Sequence, residues 1–188
     1  MKTLYLDCRM GAAGDMLMGA LLDLHPDPDG FLARLNGLGV PGVTVETQQV
    51  LRCGITSRKM QVRVHGQEED DHPHHHDHDH PHEHDHRHEH DHDHPHEHDH
   101  GHTHRGMGEI QGLIQGLGIS PKVQGEVLAV YGRIAQAEAQ VHGRPVELVH
   151  FHEVGALDAV MDILGVCLLM EELGPVQVFA SPVRTGFG

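Results

Sequence analysis

A low-complexity segment between residues 66 and 105 constrains this 188-residue chain more than any other feature. Histidine occupies every even position from His72 to His104, and with His75 the segment holds 18 of the chain's 23 histidines, interleaved with Asp and Glu. A packed core cannot use such a sequence, because it has no apolar side chains to bury and each imidazole would need a polar partner. We therefore expect a long disordered insertion that leaves the fold.

The His-rich segment, as we call residues 66–105, offers imidazole nitrogens at high local concentration beside carboxylates. Imidazole binds Ni, Zn, Cu and Co, so the direct interpretation is a reservoir for a divalent transition metal. As a flexible chain it is expected to hold several ions weakly to moderately, and a solvated linker without function is the alternative. The candidate metal ligands are His74, His76, His78, His80, His82, His84, His86, His88, His90, His92, His94, His96, His98, His100, His102 and His104.

The net charge of −15 is concentrated in the same segment, which carries 13 acidic and two basic residues. The remaining chain has a formal charge of −4, so a nucleic-acid partner is not expected, since phosphate binding requires a basic face. The most apolar stretch, 160–170, contains Asp162 and is too short to span a bilayer. Three widely spaced cysteines and the absence of a signal-peptide pattern favour a cytoplasmic protein with no membrane contact.

The pattern of apolar residues predicts the order β-α-α-β-β, insertion, α-α-β-α-β, which is typical of an α+β or two-layer α/β fold. We expect a small mixed sheet packed with helices. Residues 1–65 and 106–188 are predicted to form a single discontinuous domain around the insertion. The strongest local signal is Ser120-Pro121, an N-cap followed by proline at the first helical position. That helix is predicted to run to His142 and to end at Gly143.

A first candidate site is the turn from Asp7 to Asp15, where a short strand leads into a helix. Small residues and an exposed helix N-terminus favour an anion such as a phosphate. The candidate binding residues are Asp7, Gly11, Gly14 and Asp15. The sequence lacks Gly-Lys-Ser/Thr, so it is not a Walker P-loop. A tight strand-to-helix turn without ligand remains the alternative.

A second candidate site lies between His150 and Asp162. In an extended segment His150 and His152 would lie on one side, and Asp158 and Asp162 are one helical turn apart. The helix is apolar almost all round, and a buried carboxylate is costly unless it is paired or metal-bound. The candidate catalytic residues are His150, His152, Glu153, Asp158 and Asp162. In the alternative, arginines such as Arg133 or Arg144 pair with the carboxylates.

Three blocks together resemble a known family. They are Tyr5-Leu6-Asp7 with Gly11-Ala12-Ala13-Gly14-Asp15-Met16, the segment Ala135–Ala139 with Val141-His142-Gly143, and His150-Phe151-His152-Glu153-Val154-Gly155-Ala156-Leu157-Asp158. The chain resembles the LarC family of pyridinium-3,5-bisthiocarboxylic acid mononucleotide nickel insertion proteins. A His-rich insertion at this place is also typical of many members.

The resemblance implies a nickel chelatase or insertase of the lyase class. Its small-molecule partner would be the thiocarboxylated pyridinium nucleotide, its metal Ni²⁺, and its further cofactor CTP with Mn²⁺ or Mg²⁺. The product would be the nickel-pincer nucleotide, whose downstream partner is the lactate racemase apoprotein. Family members are about twice as long, which implies a C-terminal half either supplied in trans or fused by a translational frameshift.

Two further interpretations come from other functional classes. A non-catalytic nickel storage or chaperone protein would use the His-rich segment alone, and a zinc-buffering protein would use it for another ion. The three hypotheses differ in whether the folded part takes any role in metal transfer.

Overall fold

The computed structural model describes residues 2–68, 105–151 and 154–185, with the Glu68 side chain excluded. The elements are β1 (Thr3–Leu6), α1 (Gly14–Asp23), α2 (Pro28–Gly37), β2 (Val43–Arg52), β3 (Ile55–Val64), β4 (Gln67–Glu68), β5 (Arg105–Gly106), α3 (Met107–Gly116), α4 (Pro121–His142), a 3₁₀ helix (Val146–Leu148), β6 (His150–Phe151), α5 (Leu157–Leu173) and β7 (Gln177–Ala180). The predicted α+β class is confirmed.

The described strands are divided among three small sheets. β1 and β7 form a parallel pair, β2, β3 and β4 form an antiparallel sheet, and β5 pairs antiparallel with β6. The parallel and antiparallel pairings expected of one mixed sheet are thus both present, but they lie in separate sheets.

The helix ends follow from local sequence. Ser120 accepts a hydrogen bond from the Val123 amide at 3.2 Å, and Gly143 ends α4 in the left-handed conformation at φ 60°, as predicted. The sequence predicts a second short helix from Gly30 to Leu38 with Asp29 as its cap. The cap is instead Asp27, which accepts from the Gly30 amide at 3.0 Å, because Pro28 already occupies the first helical position.

Two predicted boundaries also need correction. The sequence pattern predicts an extended segment from Val146 to Phe151. The Pro145 carbonyl oxygen instead accepts from the Leu148 amide and starts a 3₁₀ turn, so only His150–Phe151 forms a strand. At the edges of the His-rich segment, Gln67–Glu68 and Arg105–Gly106 belong to strands. The expected disorder of the segment otherwise falls outside the described residues, as do its candidate metal ligands.

Helix α5 lies at the centre of the core, in contact with α1, α4 and the β2–β3 hairpin. Glycines allow α1 to pack closely on its neighbours. A Cβ on Gly165 of α5 would overlap Met18 Sδ of α1, and one on Gly19 of α1 would lie 2.7 Å from the Arg58 carbonyl oxygen of β3. The buried cluster contains residues from both sides of the His-rich segment, including Met60 and Ile110. This shared core supports our proposal of one discontinuous domain.

Within the described ranges, none of the helices combines the length and apolar character needed to cross a membrane.

Candidate functional site

The turn between β1 and α1 is held by its own hydrogen bonds. The Asp7 carboxylate accepts from the Arg9 side chain (Nε to Oδ1, 2.8 Å) and the Arg9 amide (3.2 Å), and these bonds lower the pKa of Asp7 to about 2. Gly11 adopts φ 91° and its amide donates to the Cys8 carbonyl oxygen at 3.0 Å. Left-handed backbone of this kind favours glycine. The Asp7 carboxylate is therefore paired with the Arg9 guanidinium in an exposed turn.

The charge around this turn is unfavourable for an anion. The amides of Arg9 and Gly11 are bonded within the turn, and the Met16 amide in the first turn of α1 lies 2.7 Å from Asp15 Oδ1. The surrounding charge includes the carboxylates of Asp7 and Asp15. A phosphate group requires a positive field at a helix N-terminus, and these carboxylates oppose it, so the turn is a poor fit for a nucleotide phosphate.

Gly14, the first residue of α1, brings that helix against α5. A Cβ at position 14 would lie 2.6 Å from the Asp162 Cβ and 2.9 Å from its Oδ2. Only glycine permits this contact without displacement. Gly14 is a candidate binding residue of the first site, and glycine is needed there because the Asp162 side chain of the second site lies directly against it.

The contact joins the two sites that the sequence treated separately. Asp158 lies in the first turn of α5, Asp162 one turn later, and Asp15 in the first turn of α1. We call Asp15, Asp158 and Asp162 the acidic cluster. Its members are all partly buried, and their charges interact. The cluster therefore sits where the N-termini of two helices meet, a place where helix dipoles favour negative charge.

The electrostatics of the cluster are unfavourable without a cation. Burial, followed by the charges of Asp15 and Asp158, raises the pKa of Asp162 to about 7. A main-chain hydrogen bond from Asp15 opposes this rise. The Oδ1 atoms of Asp158 and Asp162 are both buried and lack a hydrogen-bond partner among the described residues. Within these ranges neither carboxylate is paired with Arg133 or Arg144, so the arginine-paired alternative is not observed.

Two residues beside Asp158 escaped the sequence prediction. Tyr131 of α4 is fully buried, and its hydroxyl donates to the Val154 carbonyl oxygen at 3.0 Å. Burial and the Asp158 charge raise the pKa of Tyr131 above its usual range, and the nearby Arg105 guanidinium opposes this. Arg105 donates from Nη1 to the Gly155 carbonyl oxygen at 3.0 Å. Both residues thus fix the turn that precedes α5.

The end of the His-rich segment enters the fold at this same turn. Arg105 pairs with Phe151, and Gly106 pairs with His150. A Cβ on Gly155 would lie 2.8 Å from the Phe151 carbonyl oxygen and 3.3 Å from the Arg105 amide, so glycine allows the β5–β6 pair to pack on the start of α5. His150 is exposed at this pair.

The structure brings some predicted residues together and leaves others apart. Gly14, Asp15, Asp158 and Asp162 meet, whereas Asp7 and Gly11 belong to the exposed turn. His152 and Glu153 lie outside the described residues. In the part of the chain that is described, no three His, Cys, Asp or Glu side chains are already arranged to hold a metal ion.

Comparison with known proteins adds an independent observation. The family model described as "Nickel insertion protein" matches residues 4–188. A relative from Desulfitobacterium hafniense, named pyridinium-3,5-bisthiocarboxylic acid mononucleotide nickel insertion protein, is 36% identical over 188 residues, covering 100% of this chain and 38% of the relative. A relative of the same name from Lactiplantibacillus plantarum is 39% identical over 191 residues, covering 100% of this chain and 41% of the relative. The chain thus spans about two fifths of the length of these relatives. No solved structure matches it.

Proposed function

The chain belongs to the nickel insertion protein family, and from that premise we propose that it acts in placing nickel into pyridinium-3,5-bisthiocarboxylic acid mononucleotide. In this proposal the His-rich segment collects Ni²⁺ and the folded part passes the ion to the sulfur atoms of the nucleotide. Nickel is the cargo of the reaction. Thiocarboxylate sulfur is a softer donor than imidazole or carboxylate, so transfer in this direction is favourable for a borderline ion such as Ni²⁺.

One observation supports this proposal above the others: the His-rich segment returns to the fold at the strand pair that carries His150. The Arg105 side chain then holds the Gly155 carbonyl oxygen, three residues before Asp158. In this proposal an ion released from the segment meets the imidazole of His150 and then the carboxylates of the acidic cluster. His152 and Glu153 lie in the connection between these two groups in the sequence.

The acidic cluster has the chemistry of a transfer site. Its buried oxygens are unpaired, and the pKa of Asp162 near 7 means that its carboxyl group exchanges a proton in the neutral range. A cation that arrives there replaces that proton, and its departure to the nucleotide allows the proton to return. Incomplete ligation suits a site that must release its ion.

The finer expectations from the family resemblance belong to the same proposal. They are lyase-class chelatase activity, use of CTP with Mn²⁺ or Mg²⁺, and delivery of the product to lactate racemase. The carboxylates of the acidic cluster fit a divalent ion, since oxygen donors suit Mg²⁺ and Mn²⁺. The turn at residues 7–15 is a poor fit for the phosphates of CTP, because its carboxylates oppose a further negative charge.

Removal of Asp71–His104 separates insertion from storage. The shortened chain and the intact chain are supplied with the thiocarboxylated nucleotide over a range of free nickel, and the nickel-bound nucleotide is measured by mass spectrometry. We expect the shortened chain to need more nickel but to reach the same product yield, because the acidic cluster remains. If no product forms at any nickel concentration while the intact chain is active, the folded part is not a transfer unit by itself.

The second candidate function is non-catalytic nickel storage. It is favoured by the 18 histidines of the segment and by the lack of a preformed three-ligand site among the described side chains. Storage predicts that the intact chain binds several nickel ions yet forms no nickel-bound nucleotide under any condition. A competition titration with Ni²⁺ and Zn²⁺ distinguishes both functions from zinc buffering.

A further inference from the structure

Strand β1 has one edge without a partner strand in the described part of the chain. On its other edge, the Lys2 carbonyl oxygen accepts from the Val176 amide at 2.8 Å and the Leu6 carbonyl oxygen accepts from the Ser181 amide at 2.9 Å. Because main-chain groups alternate between the two edges of a strand, the amides and carbonyls of Thr3 and Tyr5 point away from β7. They form a short template for another strand.

An apolar groove runs beside this edge. It has a volume of about 210 Å³ and is lined by β1, the following turn and α1, with no contribution from β7. Along α1, Met16, Ala20 and Leu24 follow one another at helical spacing on the exposed surface. Met16 is 52% exposed, Leu24 60%, and Tyr5 on the strand 62%. Open main-chain groups and apolar side chains therefore occur together.

The β1–β7 sheet is also incomplete by the usual standard of parallel sheets. Tyr5 and Phe179 are register partners and so share a face, yet both are more than half exposed. Parallel strands are normally covered on both faces, and a sheet of two short strands has little stability of its own. Both the edge and a face of this pair are therefore open to a further strand.

We propose that the free edge of β1, with the groove along α1, is the docking site for a strand from the rest of the family polypeptide, carried on the same chain or supplied as a separate one. The relatives are about two and a half times the length of the region they share with this chain, so they have the material to fill it. The incoming strand adds to the β1 edge by main-chain hydrogen bonds and places apolar side chains in the groove. A second copy of this chain is a weaker fit, because it would offer only the same four-residue edge, which buries too little area for a stable dimer, whereas the rest of the relatives can also cover the groove.

Hydrogen exchange tests the proposal directly. The 188-residue chain is compared with a chimera in which it replaces the matched region of the Desulfitobacterium hafniense relative. We expect exchange at the Thr3 and Tyr5 amides to slow by about tenfold or more in the chimera. Unchanged exchange in a folded chimera overturns the proposal. If the chimera does not fold, the remaining part of the relative is added as a separate protein, and unchanged exchange there overturns it equally.

Paired substitutions identify the surface. Tyr5→Lys with Met16→Lys should restore fast exchange at Thr3 in the chimera. Leu51→Lys with Ile55→Lys is the matched control, since these residues are 69% and 70% exposed at the far end of the β2–β3 hairpin, and it should leave the protection intact. Equal effects of both pairs contradict the assignment. Sedimentation of the 188-residue chain as a dimer, with Thr3 and Tyr5 protected, would show a second copy at the edge and also contradict it.

Discussion

At the scale of single residues, Asp162 is the most informative position in the described structure. It lies against Gly14, carries a buried oxygen without a partner, and shares its surroundings with Asp15 and Asp158. A carboxylate in such a place lowers stability when it is ionised. Its position fits a role in holding a cation better than a role in folding.

Asp162 should therefore make stability depend on pH. Its pKa is raised from 3.8 to about 7 in the folded chain, so the folded state binds more protons than the unfolded state between these values. Stability from this residue is present at low pH and is lost as pH rises toward 7. The unfolding free energy of the wild type should therefore fall between pH 5 and pH 8, and in Asp162→Asn this fall should be smaller. Urea denaturation without metal measures both.

Asp29→Asn is the control for that measurement, because Asp29 is an exposed carboxylate of α2 outside the cluster. It should leave the pH dependence nearly as in the wild type. The same pH dependence in the wild type and in Asp162→Asn would show that burial does not perturb Asp162.

The acidic residues of the candidate site are easier to select from the sequence than the residues around them. The spacing of Asp158 and Asp162 on an apolar helix was sufficient to select them. Tyr131 and Arg105 were missed, because a single tyrosine in an amphipathic helix and a single arginine beside a charged segment have no distinctive spacing. Their positions depend on contacts with Val154 and Gly155, which only the folded chain brings close.

At the scale of elements, glycines determine how α1 is positioned. Gly14 allows contact with α5 at one end of the helix, and Gly19 allows contact with the main chain of β3 in its middle. Both contacts involve atoms that cannot move aside easily, a carboxylate-bearing Cβ in one case and a carbonyl oxygen in the other. The acidic cluster exists because α1 lies this close to α5.

Gly19→Ala should consequently destabilise the fold. The new methyl group would meet the Arg58 carbonyl oxygen at 2.7 Å, so α1 and β3 must separate, at a cost of about 1–3 kcal/mol in unfolding free energy. Gly125→Ala in the exposed part of α4 is the matched change, since a Cβ there meets no atom within 4 Å. It should stabilise by about 0.5–1 kcal/mol. Denaturant titration measures both, and equal stabilisation by the two changes would show that α1 does not pack on β3 as described.

Elements whose ends depend on nearby residues were predicted well, and pairings between distant strands were not. The limits of α4 follow from Ser120, Pro121 and Gly143, all adjacent in sequence to the helix ends they define. The pairing of β1 with β7 joins residues more than 170 positions apart, and the pairing of β5 with β6 spans 44 or more. Periodicity identifies strands but does not identify their partners.

At the scale of the whole molecule, the chain combines a charged, histidine-rich segment with a folded part that has its own core. The segment contains β4 near its start and ends at Arg105 of β5. One end is therefore paired with β3 of the hairpin, and the other lies beside the candidate site. Family membership indicates nickel, and the composition of the segment fits a divalent transition metal. We propose that nickel held by the segment passes through this site before it reaches the nucleotide.

Transfer from nickel-loaded protein tests this claim most directly. Wild type, Asp158→Ala and His152→Ala are loaded with equal nickel and mixed with the thiocarboxylated nucleotide, and both the nickel bound per chain and the nickel-bound nucleotide formed are measured. We predict nearly unchanged nickel binding in both variants, because the segment is intact, together with loss of transfer to background. Transfer at the wild-type rate by either variant, or equal loss of binding and transfer, would contradict the account.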